Sequence, residues 1–181
     1  MSFFNVAGGV ANLIQTGVSF AWAWVAAAAA EQQDAQGLLA AYRFELESNL
    51  ELLGAVKQDA LADMEISSPD FRALVESLHT EIAVSILYSA DRKAFNRFAG
   101  LFKNCPAGGG PLITETEDGE QPQTFESVTA AMAFTIRKIE VLKNLVRIAR
   151  PESPLFPRFR LAARIGHIKT NLATLRKIVN A

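Results

Sequence analysis

Apolar and polar positions divide the chain into one long uncharged stretch followed by segments of helical period. From Met1 to Ala30 there is no Asp, Glu, Lys, Arg or His, and Val6 to Ala30 reads VAGGVANLIQTGVSFAWAWVAAAAA. At ~1.5 Å per helical residue those positions cover about 37 Å, against a bilayer hydrocarbon core of about 30 Å. The pattern predicts a membrane-inserted helix over residues 1–33. At ~100° per residue, Asn5, Asn12, Thr16 and Ser19 fall in one narrow stripe, continued by Ala23, Ala26, Ala27 and Ala30 and bordered by Gly8 and Gly9. Phe3, Val10, Ile14, Val18, Ala21 and Val25 occupy the opposite face. Bare amides and hydroxyls are costly against acyl chains, so the stripe should face another helix or a water-filled lumen, and either arrangement implies a homo-oligomer. A buried helix of a soluble protein and a cleaved secretory signal stay open as alternatives, although no Lys or Arg supplies a signal's n-region. Trp22 and Trp24 suit an interfacial belt and equally suit a core.

Beyond Ala30 the period is that of helices. Leu39, Tyr42, Leu46, Asn49, Leu53, Val56 and Ala60 alternate spacings of three and four, a seam of coiled-coil type. Asn49 interrupts it, and a buried amide in such a seam fixes register by finding a polar partner. Ser68, Pro69 and Asp70 form a helix start, and one helix is expected from about 69 to 103 with Phe71, Leu74, Val75, Leu78, Ile82, Leu87, Phe95, Phe98 and Phe102 as its apolar positions. Residues 104–124 read as a flexible loop: Gly108, Gly109 and Gly110 precede Pro111 and an acidic run of Glu115, Glu117, Asp118 and Glu120. No Lys-Ser/Thr completes a phosphate-binding loop, and the acids would repel phosphate. With Thr124 as cap, a helix over about 125–150 carries Val128, Met132, Ile136, Ile139, Leu142, Val146 and Ala149 on one stripe; after Pro151, Pro154 and Pro157 a last helix spans about 159–179. The class is all-α: an N-terminal transmembrane helix, then residues 34–181 as an antiparallel bundle of about four helices.

Charge adds an asymmetry. Residues 31–136 hold 7 basic and 17 acidic side chains, a balance of −10, whereas residues 137–181 hold 11 basic and 2 acidic, a balance of +9. Such a split asks for a partner. The acidic half of the same or a neighbouring subunit is favoured over anionic lipid and over nucleic acid, because the basic residues are spread along helices instead of clustering with stacking aromatics. A protein partner for the basic C-terminal helices stays possible. Cys105 is the single cysteine, which excludes an intrachain disulfide and fits a reducing compartment. No spacing of His, Cys, Asp or Glu suggests a metal site, and no cofactor is implied.

One grouping could carry chemistry. Arg160, Arg164 and His167 lie at spacings of four and three on one face near the start of the last helix. An Arg stabilising a phosphate and a His acting as acid or base suit phosphodiester cleavage; a solvated basic face is the plainer reading, and non-catalytic function is expected.

Two resemblances follow from these residues. Arg160 and His167, after a Pro-rich loop, resemble the Arg…His signature of HEPN helical nucleases, although Leu161 stands where a polar residue is usual. That resemblance implies a ribonuclease. The first hundred residues, with the apolar helix, Phe44-Glu45-Leu46-Glu47-Ser48-Asn49-Leu50-Glu51-Leu52-Leu53 and then Leu87-Tyr88, resemble small bacterial membrane-anchored helical proteins, some of them phage-defence or CRISPR accessory factors. That one implies an oligomeric effector or pore in the bacterial inner membrane, single-pass, with its C-terminal domain in the cytoplasm.

Overall fold

The computed structural model describes residues 35–55, 69–105, 111–116, 119–148 and 158–181. The polar stripe of Asn5, Asn12, Thr16 and Ser19 lies outside them, as do Val56, Ala60 and Ala149. Among the described residues no helix is long and apolar enough to cross a membrane. In chain order the elements are α1 (Ala35–Ala55), α2 (Pro69–Glu76), α3 (Glu81–Leu87), α4 (Arg92–Gly100), β1 (Leu112–Thr116), β2 (Gly119–Gln123), α5 (Val128–Ile148) and α6 (Arg158–Val179). The fold is mostly helical, and the all-α expectation is corrected by the hairpin β1–β2, which occupies much of the stretch expected as a flexible loop.

The α1 seam is buried from Leu39 through Tyr42, Leu46 and Asn49 to Leu53. α1 packs on α6, α3 and α4, while α5 packs on α6, α3 and α2. In α5 the predicted stripe is buried from Val128 to Val146. Its start is set by Ser127, whose Oγ accepts the Ala130 N–H at 3.1 Å, rather than by Thr124. Phe71, Phe98, Leu46 and Met132 are among the largest side chains sealed in the core. The Phe98 ring meets Phe102 at 5.3 Å and Tyr42 at 6.4 Å, both edge-on.

The single helix expected over 69–103 is broken twice, and polar side chains explain both breaks. At 77–80 the backbone of His79 bonds to Asn49: the His79 N–H donates to Oδ1 at 2.7 Å, and the His79 carbonyl accepts from Nδ2 at 2.7 Å. Groups spent on a side chain cannot join an i→i−4 ladder. At 88–91, Asp91 caps α4 by accepting from the N–H groups of Lys93 at 2.8 Å and Ala94 at 3.3 Å. Tyr88, which closes α3 at this second break, is 76% exposed.

Hairpin register and hairpin docking share one cause. Ile113 pairs with Pro122, which has no N–H, so this must be a pair whose polar groups point away from the partner strand. The outward groups of Ile113 are taken by Asn171 of α6: its Oδ1 accepts the Ile113 N–H at 2.7 Å and its Nδ2 donates to the Ile113 carbonyl at 3.2 Å. Leu112 and Thr114, on the other face, are buried.

α1 and α6 run antiparallel and cap each other. Arg43 donates from Nε to the Val179 carbonyl at 2.8 Å and again from Nη2. Lys169 donates to the Leu53 carbonyl at 3.4 Å. Cations on the last carbonyls of a helix satisfy orphan acceptors and oppose the negative end of its dipole.

Candidate functional site

Two polar nodes sit against the core. The first is at the start of α6, where the sequence grouping of Arg160, Arg164 and His167 lies. Arg160 lies in its first turn, with its side chain outside the described part of the structure. Arg164 is half-buried and engaged in an interaction. His167 is only 7% exposed, and its Nε2 stands 2.8 Å from the Glu120 carboxylate on β2. One turn later on the same face comes Asn171, fully buried against Ile113. His167 and Asn171 together therefore hold the two hairpin strands, His167 through a side chain of β2 and Asn171 through the backbone of β1. Glu120 fixes the orientation of the imidazole and engages its Nε2.

The second node joins α1, the 77–80 link, α3 and α5. Glu45, 2% exposed, accepts the N–H groups of Ile82 at 2.7 Å and Ala83 at 3.2 Å. It thus does the capping work at the start of α3, because Thr80, the residue in the cap position, makes no side-chain cap bond. The Thr80 hydroxyl donates instead to Glu140 at 2.7 Å, and Lys143, buried on α5, lies 3.5 Å from the same carboxylate. Glu81 accepts the Thr80 N–H at 3.0 Å and stands 3.6 Å from Nδ1 of His79.

The electrostatics follow from this packing. Burial pushes the Glu45 carboxyl up to about 7, against the lowering effect of its two backbone donors; Glu81 adds like-charge repulsion and Lys143 an attraction. Burial, with the Glu45 charge behind it, raises the Tyr42 phenol well above its ordinary value. Glu81 is brought down to about 2, first by the His79 imidazole.

The chain matches no family model, no curated protein and no solved structure. Among the described residues no group of three or more His, Cys, Asp or Glu is placed to hold a metal ion. Cys105 is half-buried and packs against the core.

The second node had a signal in the sequence. Tyr42, Glu45 and Asn49 are spaced by three and four, so a seam that buries the first and last also buries Glu45. Lys143 follows Leu142 and precedes Val146 by one turn, which places it at the edge of the α5 stripe. Asn171 had a weaker signal: it follows His167 by four.

Proposed function

We propose that the chain is an oligomeric membrane effector in which residues 1–33 insert as a single helix and the helical body, in the cytoplasm, gathers copies so that Asn5, Asn12, Thr16 and Ser19 face inward. The observation that carries this reading is the first thirty residues, which hold no charge and place their amides and hydroxyls on one side. In the helical body the acidic and basic parts of the chain meet at its surface, at Arg176 with Glu47 (3.1 Å) and at His167 with Glu120. In this reading the protein permeabilises or depolarises the inner membrane without catalysis, as an accessory factor of bacterial defence would.

A ribonuclease of the HEPN kind is less well supported by the geometry, because His167 is buried and its Nε2 is engaged by Glu120. An acid or base must reach the proton it transfers.

The test is dye release from liposomes by the full-length chain. Leakage is expected from the wild type and is expected to disappear in Asn12→Leu/Thr16→Leu while the protein still fractionates with membranes. A detergent-free monomer that leaves liposomes intact would end the proposal.

A further inference from the structure

α3 and the link before it are held in an unusual way. A helix of 7 residues is too short to persist alone, and this one is kept in place by side chains of its neighbours. Asn49 of α1 holds the backbone of His79, Glu140 of α5 holds the Thr80 hydroxyl, and Glu45 of α1 holds the first two N–H groups of the helix. Of these, Glu45 is the most deeply placed ionisable group, and its hydrogen bonds come from backbone amides. The cation nearest in the core, Lys143, is drawn to Glu140. An ionised carboxylate so placed has lost its water without gaining a full counter-charge.

We propose that residues 77–87 form a proton-controlled latch on α1, closed while Glu45 is neutral and released as it ionises. In the closed state the neutral acid keeps its carbonyl oxygen for one of the two N–H donors. Ionisation sends the proton to bulk water and leaves a full charge in the core. Swinging α3 away lets water reach that charge. The titratable and charged groups that act on Glu45 are Tyr42 on α1, Glu81 on α3 and Lys143 on α5, of which only Lys143 is a cation. The sign is that of linkage: the closed state binds the proton more tightly than the open one, so rising pH favours opening. The device acts within the helical body and does not depend on how the N-terminal stretch is used.

The test is hydrogen exchange of the full-length protein, followed over residues 77–87 and corrected for the intrinsic pH dependence of amide exchange. With Glu45 moving from its ordinary 4.5 to about 7 in the closed state, the opening constant is expected to rise about 30-fold between about pH 5.5 and about pH 8.5. Residues of α6 should not follow it. Glu45→Gln, which cannot ionise, should make the profile flat whatever its absolute protection. In the wild type, the Glu45 carboxyl carbon followed by NMR should titrate with the same midpoint as α3 opening. A wild-type profile that does not change with pH, or a Glu45 midpoint more than about one unit from that of opening, overturns the proposal, as does an unchanged slope in Glu45→Gln.

Discussion

Two asparagines, on α1 and α6, do the same work. Asn49 and Asn171 each present an amide to both polar groups of a single residue, His79 and Ile113 respectively, and so act as a strand one residue long. Only an amide carries an acceptor and a donor at this separation. A leucine of similar size would leave two backbone groups without their partner in a dry site, at about 1–3 kcal/mol for each buried group. Asn171→Leu is therefore expected to lower stability in urea by at least that of one group and to make the segment 111–124 the first site of proteolytic cleavage. Cleavage elsewhere first would show that the hairpin is held by other means. Asn49 could be read from the sequence as a buried amide in an apolar seam, because periodicity alone says which face is inward. The identity of its partner could not, since His79 is thirty residues away and is brought there by tertiary packing.

At the level of elements, the instructive case is the stretch 69–103. Its apolar pattern runs on through the first break, where Leu78 is buried, although the helix does not; through the second, at 88–91, no apolar side chain is buried. The break at 88–91 is local, made by Asp91 capping the helix that follows it, whereas the break at 77–80 is made by a side chain of α1. Glu81 reports on this break. Its carboxyl is held down to about 2 by the His79 imidazole, with the Thr80 N–H adding to the effect. A depressed folded-state value means that the ionised group stabilises the fold above its ordinary 4.5, and that this contribution is lost as pH falls from there towards 2. Glu81→Gln should thus lower stability slightly at neutral pH and flatten the acid limb of the stability curve between those values, so that variant and wild type converge in acid. The side chain is well exposed, so solvent screening keeps the effect small. An acid limb identical to that of the wild type would show that the His79 contact is not formed in solution.

Over the whole molecule, α1 is the element on which the others converge. It is capped by Lys169 of α6, caps α6 with Arg43, pins the 77–80 link with Asn49, and meets α4 through Tyr42 and Phe98. Phe98 is sealed in the core between Tyr42 and Phe102, so Phe98→Ala removes a large side chain from a site with packed neighbours. A loss of about 3–5 kcal/mol is expected by chemical denaturation. A loss below about 1 kcal/mol would mean that the α1–α4 contact contributes little. The charge split between the two parts of the chain was visible in the sequence as a demand for a partner. Within the described residues the demand is met in part by contacts such as Arg176 with Glu47, an exposed pair worth at most about 1 kcal/mol, so specificity of pairing matters here more than strength.

What the sequence by itself determined is what depends on spacing along the chain: helical content, the inward faces of α1 and α5, the helix start at Pro69, and an N-terminal stretch with no charge. Only the tertiary structure decided which polar side chains reach which backbones. That contact set breaks the 69–103 helix, turns an expected loop into a docked hairpin, draws His167 onto Glu120 and buries Glu45 against the start of α3. The reason is physical. Burial of an apolar face is a local, periodic property that a sequence carries openly, whereas the partner of a buried amide or carboxylate lies tens of residues away and exists only once the helices have packed.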